Sequence, residues 1–384
     1  MPTRVSSELP APDCATREVQ GDGHIGQVVY RQNGIWLHDL DTGERTAFPE
    51  GERFLEPEPS DWSPDGGWRA FALEDGSLWI ESADGEQRQE ILPPGSGVRG
   101  SVYWAVSPVY WSPDGEWIAY LVSQGKTDLG HSEYLGIWRV HPDGSEHAEI
   151  YAPSDTLVEQ PELMGWSPDG QVILFRKGMY HSASGRADGL EIHALPREGG
   201  NPRLLGTSLL NPDFLAWSPA RDCLALTDGG GREVWYNKQI VVAAPDGSAR
   251  ANLSNDSSRA DVQPAWSPDA RKIAYVSRPV PEQYPLMTEA IYDTDIWLMN
   301  VDGTEKHQLT FTENAGEHYP LWSPDGEHIL FVRVENNRSG LWIMETDGGK
   351  QRQVAELGAA PPPPSNYYGH IDLTGLYAWY LKGG

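Results

Sequence analysis

Cysteine is nearly absent. The 384-residue chain holds two, Cys14 and Cys223, too few for a disulfide scaffold or a thiolate metal centre. One falls in a polar N-terminal stretch and the other in an apolar run, so two unconnected thiols are expected. No run approaches the roughly 18 apolar residues of a membrane-spanning helix, and the opening MPTRVSSELPAPDCATREVQ lacks the apolar centre of a secretion signal. A soluble chain without membrane insertion is the expectation, with the compartment left open. Basic residues are also scarce: 29 Lys and Arg stand against 56 Asp and Glu, a net charge of −27 at pH 7. That balance repels phosphate backbones and anionic lipid, which excludes a nucleic-acid partner, and it favours cations or basic protein segments. The G-x-S-x-G elbow, the H-E-x-x-H zinc helix, the Walker loop and the dinucleotide fingerprint are all missing.

What is abundant is turn-forming and aromatic: 41 Gly, 31 Pro, 16 Trp and 16 Tyr, the composition of many short strands joined by tight turns. One pentapeptide recurs. Trp-Ser-Pro-Asp-Gly stands at Trp62, Trp111, Trp166 and Trp322, with the variants WSPAR at Trp217 and WSPDA at Trp266. Successive tryptophans lie 49, 55, 51, 49 and 56 residues apart. Pro presets the first turn position, Asp accepts local backbone bonds and Gly tolerates left-handed backbone, so the motif reads as a hairpin turn. An alternating apolar run follows each turn, such as KIAYVS from Lys272 or HILFV from His328, and then a third run, such as IWLMNVDG from Ile296. The third run occurs in seven copies, one more than the tryptophan motif.

Each unit is thus a four-stranded antiparallel meander, and the units together predict an all-β, seven-bladed β-propeller, with six blades as the alternative. The first unit lacks its innermost strand, and the C-terminal NYYGHIDLTGLYAWYLKGG can supply it, so N- and C-terminal strands close one blade and remove the open edges. Residues 1–23 read as a flexible tail and 24–384 as a single propeller domain. The stretches LTFTENAGEHYPLWSPDGEHILFV and NLSNDSSRADVQPAWSPDARKIAYVS resemble the repeat of TolB and of the propellers attached to prolyl-oligopeptidase-like enzymes. The resemblance implies a platform for protein interaction, frequently outside the cytoplasm. The hydrolase domain that accompanies the enzyme propellers has no counterpart in this chain.

Meander geometry places the uniform PDG turns on one rim and the long insertions on the other, which marks the second as the binding rim. Its insertions carry Tyr134, Tyr180, Trp235, Tyr236, Tyr284 and Tyr292, side chains of the kind enriched at interfaces. Just before the innermost strands, polar residues recur at equivalent positions: Glu58, Glu159 with Gln160, Asp213, Asp261 with Gln263, and Glu317 with His318. They are expected to converge as an acidic ring at the mouth of an axial channel. Three occupants fit such a ring: a divalent cation such as calcium, a basic peptide, or solvent alone. No cofactor is required by any motif. Binding of a partner protein or peptide is therefore expected ahead of catalysis. The alternatives are a lyase- or glycosidase-like propeller enzyme using His131, His181 or His318, or a glycan-binding module whose aromatic side chains stack on sugar rings.

Overall fold

The computed structural model describes residues 10–16, 18–19, 24–49, 51, 55, 62–73, 75–94, 104–125, 132–154, 159–179, 189–209, 211–220, 222–280, 282, 291–359, 370 and 373–380. These residues form seven antiparallel sheets in chain order, six of four strands and one of three. In the three-stranded second sheet an isolated bridge from Trp62 to Arg69 stands where its siblings have a first strand. The C-terminal strand Tyr377–Tyr380 pairs with Gln27–Arg31 and completes the first sheet, Tyr377 opposite Tyr30 and Tyr380 opposite Gln27. The fold is that of a seven-bladed β-propeller, completed by strands from both ends of the chain. The chain divides into two compact units: residues 1–58, 208–244 and 248–384 carry the first, fifth, sixth and seventh sheets, while 59–207 with 245–247 carry the second, third and fourth.

The recurring pentapeptide does three things. In the turn itself the serine hydroxyl donates to the aspartate, at 2.6 Å in Ser63–Asp65 and 2.5 Å in Ser167–Asp169, and accepts the backbone N–H five residues after it, as in Trp68 to Ser63 at 2.9 Å. The turn glycine is left-handed, with φ of 68° at Gly170 and 75° at Gly326. Most consequential is the tryptophan, which ties one sheet to the sheet before it. Trp166 Nε1 donates to the Tyr110 carbonyl at 3.0 Å, Trp266 to Ala216 at 2.9 Å and Trp322 to Ala265 at 3.0 Å. In every case the acceptor is the residue immediately before the preceding sheet's tryptophan, so one residue type at one spacing writes the same joint repeatedly.

Apolar clusters fill the space between neighbouring sheets. Trp117, Ala119, Ile137, Leu163, Ile173 and Phe175 join the third and fourth; Val262, Ala274, Val276, Ile329, Phe331 and Met344 join the sixth and seventh. Second strands are consequently buried on both faces, as in Lys272–Pro279, where six consecutive residues are buried. This is why they read as continuous apolar runs and not as strict alternation.

The two cysteines are not unconnected thiols. Cys14 and Cys223 form a disulfide with a Cα–Cα distance of 5.7 Å across a sequence separation of 209. The N-terminal stretch lies against the fifth sheet, where Arg250 N donates to the Pro10 carbonyl at 2.7 Å and Ala15 N to the Asp222 carboxylate at 2.5 Å. The expectation of a free tail over 1–23 is thereby corrected for its described part, which is fastened covalently.

Candidate functional site: a tryptophan-walled cavity with a fixed polar floor

Within the first unit a cavity of about 500 Å³ lies between the first strands of the fifth, sixth and seventh sheets and the C-terminal strand. Its wall is mostly apolar. Trp217, Trp266, Trp322 and Trp379 contribute indoles, and Pro264 and Pro320 contribute rings from the two strands between them.

Those prolines explain how polar groups reach the cavity. Pro cannot donate to a strand ladder and settles at bulges, and the register slips between Val262 and Ala265 and again between His318 and Leu321. At each of these bulges the residue before the proline takes left-handed backbone, φ 55° at Gln263 and 54° at Tyr319, and both line the cavity.

The polar floor is a chain of hydrogen bonds running from sheet to sheet. Gln263 Nε2 donates to Asp213 Oδ2 at 2.6 Å, and Tyr319 N donates to Gln263 Oε1 at 2.9 Å. The Tyr377 hydroxyl donates to the Tyr319 carbonyl. His370 Nε2 stands 2.9 Å and 3.0 Å from the two oxygens of Asp213. Because a carboxylate only accepts, Nε2 is the protonated nitrogen of that ring. Asp213 itself sits in a short 3-10 turn, Pro212–Phe214, with its side chain buried. Four sheets therefore meet through Asp213, Gln263, Tyr319 and Tyr377, with His370 as the latch. His318 lies behind this floor, its Nε2 at 2.9 Å from the Ile291 carbonyl, and burial pushes its ring pKa down to about 4.

The expected acidic ring is only partly assembled. Asp213 and Gln263 do come together at the cavity, with His318 beside them. Asp261 and Glu317 do not line it; each turns to the second strand of its own sheet. Asp261 accepts from Ser277 Oγ at 2.5 Å, and Glu317 pairs with Arg333 Nε at 2.7 Å. Burial pushes both carboxyls up, opposed by those partners. Glu159 behaves likewise within the other unit, taking Lys177 at 3.2 Å and bonds from Tyr151 and Ser154, while its neighbour Gln160 is half-buried in the same strand. For Asp261 and Glu317 the reason is side-chain alternation: each stands five residues before its tryptophan and faces the second strand, and the bulge turns the residue three before the tryptophan, Gln263 or Tyr319, toward the cavity. Among the described residues no cluster of three His, Cys, Asp or Glu side chains is arranged to hold a metal.

Of the loop aromatics, Trp235 is corrected. It is only 3% exposed, packing against Leu209, Phe214 and Val262, with the Arg278 guanidinium 5.7 Å from its ring. Tyr236 and Tyr292 are half-buried, and the Tyr292 hydroxyl donates to Asn337 at 3.0 Å. The loop that carries Trp235 is organised from inside by Lys238, fully buried, whose Nζ donates to the carbonyls of Gly230, Gly231 and Tyr236 at 3.1–3.2 Å. Burial lowers its pKa to about 8. Gly229 is obligatory in that loop, since a Cβ there would lie 1.7 Å from the Asn237 carbonyl oxygen. Glu58, Tyr180, Tyr284, His131 and His181, and the side chain of Tyr134, lie outside the described residues.

His370 was not singled out by the sequence: it precedes the closing strand without a motif. Gln263 enters the sequence reading only as part of the acidic pattern, and Tyr319 is not singled out there; the Gln-Pro and Tyr-Pro pairs just ahead of Trp266 and Trp322 are the signal that marks both as bulges.

No family model matches the chain. By sequence it is 26% identical over 201 residues to the uncharacterized protein Atu1656 of Agrobacterium fabrum, covering 50% of this chain and 60% of that one. It is 28% identical over 139 residues to the Tol-Pal system protein TolB of Anaeromyxobacter dehalogenans, covering 35% and 27%. With dipeptidyl-peptidase 5 of Porphyromonas gingivalis the identity is 30% over 96 residues, 23% of this chain and 14% of the peptidase. The matched part spans less than two thirds of each relative, and in the peptidase it is the propeller region alone. The crystal structure of Porphyromonas gingivalis dipeptidyl peptidase 4 matches with a TM-score of 0.50 at 11% identity, covering 91% of this chain and 53% of that one, a likeness of fold alone. Among the described residues no helix is long and apolar enough to cross a membrane. The fold is thus that of a β-propeller, and by sequence the chain is similar at low identity to parts of TolB and of dipeptidyl-peptidase 5.

Proposed function

We propose that the protein is a non-enzymatic binding propeller that seats an extended, proline-containing segment of a partner protein in the tryptophan-walled cavity. The observation that carries this reading is the wall itself: four indoles and the Pro264 and Pro320 rings around about 500 Å³. Aromatic-lined grooves take polyproline segments because these arrive already extended and lose little entropy on binding. The floor favours binding over chemistry, since both Asp213 oxygens already accept from His370 and Gln263. Burial also holds His318 neutral at physiological pH. An extracytoplasmic compartment belongs to the same proposal; the Cys14–Cys223 disulfide supports it, because such bonds persist where the environment is oxidising.

Proline-containing peptides selected on the immobilised protein, then titrated by calorimetry, test this. Ala265→Phe and Leu321→Arg, both in the cavity wall, are expected to cost the selected peptides at least about tenfold in affinity, or roughly 1.4 kcal/mol. Salt between roughly 0.05 and 0.5 M should matter little, as apolar contacts are not screened. Equal affinity for parent and both variants would sink the reading. The same four indoles favour a second reading, stacking on the faces of sugar rings, and a neutral-glycan array run on the parent and on Ala265→Phe separates the two.

A further inference from the structure

We propose that the described residues 10–16 and 18–19 are a strap fastened across the turn-bearing edge of the fifth, sixth and seventh sheets, and that thiol–disulfide exchange at Cys14 releases it. The strap begins at the outer strand of the fifth sheet, where Pro10 accepts from Arg250 N, and passes the Trp-Ser-Pro turn of that sheet at Asp222 and Cys223. Its far end, Glu18 and Val19, borders a second, smaller cavity of about 350 Å³, together with Ser267 and Asp269 of the sixth sheet's turn and Trp322 and Asp325 of the seventh's. Trp322 lines both cavities, so the strap lies one indole away from the larger one.

The covalent bond dominates this fastening. Pro10, Ala11, Asp13, Ala15, Thr16 and Glu18 are all half-buried or exposed, and the described hydrogen bonds amount to the two backbone donations above. A short segment held that lightly does not offset the entropy of ordering its backbone. The two sulfurs differ in access: Cys223 is 1% exposed whereas Cys14 is half-buried at the surface of the same apolar cluster. Exchange is therefore directed. The thiolate of an external dithiol attacks Cys14 Sγ, the disulfide breaks, and Cys223 Sγ leaves with the electron pair and takes a proton. The second thiolate of the dithiol then closes on the mixed disulfide and expels Cys14, which is protonated in turn. The dithiol is oxidised to its disulfide, and two electrons and two protons reside on Cys14 and Cys223.

The experiment uses the full oxidised chain. Maleimide labelling after denaturation is expected to find no free thiol before treatment with dithiothreitol under native conditions and two afterwards. Tryptic cleavage after Arg17 is expected to rise about tenfold on reduction, and hydrogen exchange should speed up over 10–19 and 267–272 while the strand His328–Glu335 stays protected. Cys14→Ser should match the reduced parent and ignore the reductant. Two free thiols in the untreated protein, resistance to dithiothreitol, cleavage after Arg17 that is unchanged by reduction or in Cys14→Ser, or loss of protection throughout the sheets would each overturn the proposal.

Discussion

Replacing Trp166 with Ala removes an indole that is 9% exposed and packed among Ala119, Leu163, Ile173 and Phe175, together with the N–H that bonds the Tyr110 carbonyl at 3.0 Å. Truncation of a buried tryptophan costs about 3–5 kcal/mol, of which the hydrogen bond supplies about 1 kcal/mol. Trp166→Phe keeps most of the packing and deletes the donor, so its cost should fall near 1–2 kcal/mol. For a chain of this length the unfolding entropy is about 0.8 kcal/mol per kelvin, and the Ala variant should melt about 5 °C lower and the Phe variant about 2 °C lower. Calorimetry, backed by urea unfolding at constant m-value, reads both. If Trp166→Ala melted within a degree of the parent, the tryptophan would not be the joint between sheets. If Phe cost as much as Ala, the hydrogen bond and not the packing would be holding it.

Two further predictions rest on buried cations and bases. Lys238 is buried with its pKa lowered from 10.5 to about 8, so the unfolded chain holds the extra proton between those values and stability should rise as pH climbs through that window, by up to about 3 kcal/mol. Subtracting the urea-unfolding profile of Lys238→Met from that of the parent isolates the effect; a flat difference between pH 7.5 and 10 would refute it. His318, with its pKa lowered from 6.5 to about 4 by burial, works at the other end: its contribution is intact above pH 6.5 and is lost on acidification toward pH 4, again by up to about 3 kcal/mol. His318→Gln should flatten that acid limb, and NMR titration of the ring in the parent should show no protonation at pH 5.5.

Local chemistry made the fold readable. Trp-Ser-Pro-Asp-Gly specifies its own turn through residues no more than five apart, such as Ser167, Asp169 and Val172, and repetition multiplied that signal. The count of seven and the closing strand follow from the same repeats. The candidate site was only half readable. A recurring carboxylate is visible in the sequence, but the face it takes depends on strand register, and a bulge at Gln263 or Tyr319 reverses the face for the residues beyond it. Asp213–His370 and Cys14–Cys223 were not readable at all, because they join residues 157 and 209 apart through the closing of the chain upon itself.

That closure also gives the site its physical character. His370 and Tyr377 come from the segment that supplies the closing strand, and both terminate on the floor of the cavity, one at Asp213 and the other at Tyr319. Thr374, Ala378 and Trp379 of the same segment contribute part of the wall. The closing strand is short, four residues paired with one neighbour, so the floor and wall contacts are a large share of what holds it in place. A ligand that fills the cavity contacts the strand in its docked position and not in an undocked one, and it must therefore stabilise the closed chain by the amount its affinity exceeds that for the open form. Binding and closure are thus two readings of one equilibrium. Any substitution that loosens the latch, His370→Ala above all, must weaken ligand affinity even though the described bonds of His370 are all to Asp213 and none of its atoms lines the cavity.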